Sequence, residues 1–138
     1  MEAELIDEAR TIAKELLPYL RFVGSRVWEV LQMASFGDRL GIGSELQEVA
    51  ERAPLQTNWT GVLRALLDGD FTTAADLYEA IGVLDWEARA RLRAAQRLVS
   101  EGRRPDADLQ LQRALAFYRS VGATRYVRES EALLAAAS

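Results

Sequence analysis

The stretch "LLDGDFTTAADLYEAIGVLDW", Leu66 to Trp86, contains two runs of helical period divided by a turn, followed by the start of a third. Leu66 and Leu67 close the first run. Ala74, Leu77, Tyr78 and Ile81 fall on one face of the second, in steps of three and four. Gly69 and Gly82 sit just past the two helix ends, where a residue with φ > 0 is needed. Connections this short leave successive helices no arrangement but antiparallel. The stretch therefore reads as a helical hairpin, and its punctuation can be followed in both directions.

Towards the N-terminus, Leu5, Ala9, Ile12, Ala13, Leu16 and Leu20 predict a helix over 2–22, with Pro18 able to kink or end it. Val27, Val30, Leu31 and Ala34 predict a second, ending at Phe36-Gly37-Asp38. A third starts at Ser44, read as its cap with Gln47 three residues on, and stops before Pro54. A fourth follows from Thr57 to Gly69. Towards the C-terminus come 71–82, 85–101, a helix opened by Pro105 and Asp106, and a terminal helix over 124–137. The helix after Pro105 has the cleanest stripe, Ala107, Leu111, Ala114, Leu115 and Tyr118, with Asp106 and Asp108 at its positive end. The expectation is about eight helices and no strand. With no long linker, it is also one domain over 1–138.

Composition agrees. Of 138 residues, 49% are apolar and 28% charged, enough to fill a core and coat it. The chain has no cysteine and no histidine, which removes disulfides, thiolate and imidazole metal ligands, and imidazole acid–base chemistry. The net charge is -4. Residues 1–69 hold seven basic and eleven acidic side chains, and residues 70–138 hold ten of each. A phosphate-neutralising protein would show a basic domain or face, so direct nucleic-acid binding is not expected. No apolar run approaches the roughly 18–20 residues of a membrane span. The N-terminus, acidic and amphipathic, is not a signal peptide. A cytoplasmic location is the expectation.

The turns recur. Gly37, Gly69 and Gly102 are spaced by 32 and 33 positions, and small or apolar residues follow each at +5, +9 and +12: Ile42, Leu46, Val49; Ala74, Tyr78, Ile81; Ala107, Leu111, Ala114. Between them, Gly24, Gly82 and Gly122 each follow a β-branched residue and precede an aromatic by four: Trp28, Trp86 and Tyr126. That aromatic is expected to plug the start of the next helix against its neighbour. The pattern Trp59, Leu66, Leu67, Gly69, Asp70, Ala74, Tyr78 resembles the tetratricopeptide repeat, a helix–turn–helix unit of about 34 residues. Gly102, Ala107 and Ala114 continue it, with Ala94 and Ala95 as small residues in the partner helix. The resemblance implies antiparallel helix pairs stacked as a short right-handed superhelix.

Residues 55–138 further resemble the C-terminal repeat region of large multidomain bacterial signalling proteins, which join an ATPase module to nucleotide-cyclase or DNA-binding domains. No phosphate loop of the G-x-x-x-x-G-K-[ST] type is present. Helix 2–22 ends in Val23-Gly24, as second helices end in Ile81-Gly82 and Val121-Gly122. By that register its first helix is missing, so the chain is read as a C-terminal fragment of a longer protein, or else helix 2–22 is a cap.

Catalytic chemistry finds little support. The carboxylate pairs Glu2/Glu4, Asp7/Glu8 and Glu129/Glu131 suit a solvated helix face, and Ser44, Ser100 and Ser120 have no histidine to activate them. "GIGSE", Gly41–Glu45, could present N–H groups to an anion but reads as a plain turn. Trp28, Trp59, Trp86, Tyr78, Phe117 and Tyr118 read as packing residues. That leaves "WEARARLRAAQRL", Trp86–Leu98. On a helical wheel Ala88, Leu92, Ala95 and Val99 share a face, Arg89, Arg93 and Arg97 form a ridge roughly 140° away, and Arg91 falls beside the apolar face. Three like charges one turn apart repel, so acidic neighbours are expected, with Asp76, Glu79, Asp85, Glu87 and Glu101 available. In tetratricopeptide domains the first helix of each unit lines the groove that receives partners, and 85–101 is such a helix.

The expectation is thus a non-catalytic interaction or regulatory module with no cofactor. Arg89, Arg93 and Arg97 are its candidate contacts to a protein partner or to other domains of the same chain. Self-association through helix 2–22, as a stand-alone adaptor, and an effector-sensing small-molecule domain are the other readings.

Overall fold

The computed structural model describes residues 2–16, 31–32, 34, 40–53 and 56–136. Among them the secondary structure is all-helical, with no strand. Seven helices are bounded: α1 (Glu2–Leu16), α2 (Gly43–Glu51), α3 (Asn58–Leu67), α4 (Phe71–Ile81), α5 (Leu84–Ser100), α6 (Arg104–Ser120) and α7 (Thr124–Ala135). Of the helix expected around 27–34, Leu31, Gln32 and Ala34 are helical, Leu31 and Ala34 buried and Gln32 exposed. The rest of it, with Trp28, Gly24, Gly37 and the end of helix 2–22, lies outside the described residues. The chain divides into two compact units, Met1–Gly69 and Asp70–Ser138.

In the first unit α2 packs on α3, burying Leu46 and Ala50 of one and Val62, Leu63 and Leu66 of the other. The start of α3 is tied down locally. The backbone N–H of Thr57 donates to Thr60 Oγ1 at 2.8 Å, and the Thr60 hydroxyl donates to the Thr57 carbonyl at 2.7 Å. The expected cap of α2 is corrected. Ile42 occupies the cap position, and Ser44 lies inside the first turn, donating to the Glu45 carboxylate at 3.0 Å. Gly43 opens the helix, so the serine falls two positions past the cap.

In the second unit α4, α5, α6 and α7 follow one another as antiparallel neighbours, with α5 between α4 and α6. Three junctions share one hydrogen-bond pattern. The N–H groups of Val83, Arg103 and Ala123 reach back to the carbonyls of Tyr78, Leu98 and Tyr118, while Gly82, Gly102 and Gly122 donate to Glu79, Val99 and Arg119. This is the paired 6→1 and 5→2 bonding of a Schellman end, which places the glycine in the left-handed region. Gly82 is there at φ 91°. An added Cβ at Gly82 would meet nothing within 4 Å, so backbone conformation rather than crowding requires glycine.

The core lies where α5 and α6 cross. Ala88, Leu92, Ala95 and Leu98 pack against Ala107, Leu111, Ala114 and Tyr118, and Tyr126, Val127, Leu133 and Leu134 of α7 close over them. Four alanines at the crossing bring the helix axes close, and each large residue then fills the space beside one. The opposite face of α7 is polar and exposed: Arg125, Arg128, Glu129 and Glu131. At the base of α6, Arg104 donates to the carbonyls of Leu133 (3.2 Å) and Leu134. Its charge meets the negative end of α7, whose last carbonyls have no partner within the helix.

Candidate interaction site

The four arginines of α5 separate by direction. α5 is buried over a wide arc, because Ala90 and Ala94 are covered on one side of it and Ala88, Leu92 and Ala95 on the other. Arg91 stands at the middle of that arc and is 1% exposed. Arg89, Arg93 and Arg97 point roughly 160–240° away from it, at about 100° per residue.

The sequence placed Arg91 at the margin of the core, whereas the structure makes it the centre of an ion-pair network. Its Nε donates to Glu87 at 2.6 Å, its Nη1 to Asp76 at 3.2 Å and to the side-chain carbonyl of Gln110 at 2.8 Å, and its Nη2 to Glu79 at 3.0 Å. One planar guanidinium thereby joins α4, α5 and α6, a task its fixed fork of donors suits. Arg113 of α6 completes the set, donating to Glu79 at 2.6 Å and lying 3.6 Å from Glu87. The hydrogen bond from Arg113, with the positive charges of Arg113 and Arg91, holds the Glu79 carboxyl below the usual range, and the same bond raises Arg113. Three of the five acidic residues expected to serve the ridge are therefore engaged by Arg91 instead.

The ridge itself is mixed. Arg89 is exposed. The Arg93 guanidinium lies 4.2 Å above the ring of Phe71, a cation–π contact onto the start of α4. Arg97 pairs with Glu101 one turn on, at 3.1 Å.

The aromatics assigned to packing pack in a repeated way. Trp86 meets Tyr78 edge-on at 5.7 Å, and Tyr126 stacks on Tyr118 at 4.8 Å. Tyr78, Gly82 and Trp86 recur 40 positions later as Tyr118, Gly122 and Tyr126. The aromatic four residues past the glycine does plug the next helix against its predecessor at both junctions. Tyr78 and Tyr118 are buried, and Phe117 and Trp59 half-buried. Neither buried tyrosine hydroxyl has a hydrogen-bond partner. Burial pushes both phenols up, Tyr118 to about 12.

An open pocket of about 240 Å³ lies between α5 and α6, lined by Leu84, Glu87, Ala88 and Arg91 and by Arg113, Ala116 and Phe117. Sequence reading missed it, and missed Arg91. The available signal was the Glu87–Arg91 pair at i, i+4 combined with Ala90 and Ala94. Together these extend the small-residue surface of α5 past the arginine.

Elsewhere the chemistry is quiet. No group of three acidic side chains could hold a metal ion among the described residues. At the start of α2, a hydrogen bond from its own backbone N–H and one from the Ser44 hydroxyl lower the Glu45 carboxyl. No described helix is long and apolar enough to cross a membrane. No family model, curated protein or solved structure matches the chain.

Proposed function

We propose that the chain is a non-catalytic, tetratricopeptide-like module for protein–protein interaction or regulation, forming the C-terminal part of a bacterial signalling or transcription-regulating protein in the cytoplasm. The observation that supports this reading best is the recurrence, 40 positions on, of the Tyr78–Gly82–Trp86 junction at Tyr118–Gly122–Tyr126, with the two rings in contact in both places, edge-on in the first and stacked in the second. A helix pair that repeats its junction builds a rigid face from successive units, which is how repeat proteins present binding surfaces. On that reading Arg89, Arg93 and Arg97 contribute the outer face of α5 to an acidic partner segment or a neighbouring domain, and occupancy of the face biases a remote output domain.

The test uses a fluorescein-labelled acidic peptide and the double variant Arg89→Glu, Arg97→Glu. Arg93 is spared because its contact with Phe71 is structural as well as electrostatic. Reversing two charges is expected to weaken binding about tenfold or more at low salt. Equal affinity of parent and variant for the peptide removes the ridge as the contact.

The second reading, self-association through helix 2–22, is favoured by one observation: Leu5 and Ile12 on α1 are 63% and 50% exposed. Light scattering across a concentration series separates the two. If α1 drives association, Leu5→Glu with Ile12→Glu converts a dimer into a monomer; a parent chain that is monomeric throughout ends this reading.

A further inference from the structure

The charges around the α5–α6 pocket are already paired within the chain. Glu87 is held by Arg91 at 2.6 Å and Arg113 by Glu79 at 2.6 Å; further along α6, Arg119 is held by Glu131 at 2.7 Å. They leave no charge to select an occupant, so the choice falls to the apolar lining: Leu84, Ala88, Ala116 and Phe117. The volume is about 240 Å³. That is more than the roughly 150 Å³ cavity that takes up a benzene and less than the roughly 300–1,000 Å³ of small-molecule sites. It suits one large apolar side chain.

The same helix carries such a side chain. Leu109 of α6 is 57% exposed. It lies seven positions before Ala116, itself exposed. That is two turns, or about 10 Å along the axis, and the two residues fall within about 20° of one another around the helix. Leu109 is therefore too far along α6 to fill the pocket of its own copy. A surface that holds both a projection and its recess is what a two-fold contact requires, because there residue i of one copy meets j of the other and j meets i. Two α6 helices laid antiparallel, with the axis passing between Gln112 and Arg113, set Leu109 of each copy on Ala116 of the other, beside Phe117 and Leu84. A large residue over a small one packs as in the α5–α6 crossing. Arg113 comes near the axis, where its own Glu79 neutralises it in each copy.

We propose that the chain forms a two-fold homodimer through α6, in which Leu109 of each copy fills the α5–α6 pocket of the other. The proposal uses neither the arginine ridge, which lies on another side of α5, nor the exposed stripe of α1. With 17 residues, α6 is about 25 Å long. A contact along one such helix belongs to the small interfaces, below about 1,200 Å² in total, so the dimer is a weak one that assembles at micromolar concentrations or above.

The experiment is sedimentation equilibrium of the full chain from about 1 µM to about 1 mM. The parent is expected to pass from monomer to dimer across that range. Leu109→Glu removes the projection and Ala116→Trp fills the recess, and each raises the dissociation constant by about tenfold or more. Both positions are exposed, so both variants keep the parent's helical circular dichroism. Leu5→Glu with Ile12→Glu leaves the dimer intact, which separates this contact from association through α1. A second measurement needs no change of the apolar residues. The chain has no cysteine, and Gln112→Cys places one thiol beside the axis, near its own symmetry mate. A disulfide needs Cα atoms within about 7 Å, so under mild oxidation Gln112→Cys cross-links to a dimer while Arg128→Cys, on the exposed face of α7, does not. A chain that stays monomeric throughout overturns the proposal and leaves the pocket to a different polypeptide. A dimer unchanged by Leu109→Glu, or cross-linking that is no faster at position 112 than at 128, overturns it as well.

Discussion

Arg91→Leu is expected to lower the unfolding free energy by about 3 kcal/mol, the lower end of the 3–5 kcal/mol for breaking a buried ion pair, and the melting temperature by roughly 10 °C. The lower end applies because the acceptors are unevenly buried. Asp76 and Glu79 regain water when the guanidinium goes, being half exposed, whereas Glu87 and Gln110 do not. Glu87 is left with Arg113 at 3.6 Å as its nearest cation. Lysine cannot substitute, because a single ammonium lacks the planar fork that reaches four acceptors at once. Arg91→Lys is therefore expected to cost about half as much. The control is Arg89→Leu on the same helix, where an exposed site predicts a change within about 0.5 kcal/mol. Chemical denaturation of the three variants checks the ordering. Equal stability of the Arg91 and Arg89 variants would mean that the network contributes nothing to holding α4, α5 and α6 together.

That contrast shows where the sequence is readable and where it is not. Helix ends were legible because they are set locally: Gly82, Gly102 and Gly122 satisfy carbonyls within five residues of themselves. The aromatic plugs were legible for the same reason, since Tyr78 and Trp86, or Tyr118 and Tyr126, are joined through a single turn. The start of α2 was misread because capping depends on where the first turn begins, and Gly43 gives no sign of it.

The site was harder. A wheel drawn on Leu, Val and Ala at one face of α5 finds one contact surface, but α5 has two, against α4 and against α6. Ala90 and Ala94 are ambiguous in sequence, because alanine suits a solvated face as well as a tight crossing. Once both neighbours are present those alanines are buried, and the arc centres on Arg91. Its acceptors come from positions 76, 79, 87 and 110, so no local window contains the network. The pocket beside it draws its lining from positions as far apart as Ala88 and Ala116, so it too lies outside any local window.

Tyr118→Ala is expected to be the most damaging single change in the second unit, and Tyr118→Phe among the mildest. The ring is 3% exposed, packs against Ala88, Leu92 and Ala95 in the α5–α6 core, and stacks on Tyr126. Truncation leaves a cavity where α7 meets α6, at a cost of about 3–5 kcal/mol. The hydroxyl is buried without a partner, so removing it relieves a desolvated polar group. The phenylalanine variant should therefore match or exceed the parent by up to about 1 kcal/mol at neutral pH. A second difference appears in alkali. The phenol is pushed up to about 12 by burial, from an ordinary value of 10. Between those two values the unfolded chain has lost a proton that the folded chain keeps, so stability is whole below pH 10 and falls as pH rises towards 12. Tyr78, also raised by burial, adds to the same loss. Tyr118→Phe removes one of the two contributions, on the order of 2 kcal/mol at the upper limit. Its advantage over the parent should therefore widen between pH 9 and 11.5 in urea melts. A gap that stays constant with pH would show that the Tyr118 hydroxyl is solvated or hydrogen-bonded in the folded protein, and would remove the reason for expecting phenylalanine to be tolerated there.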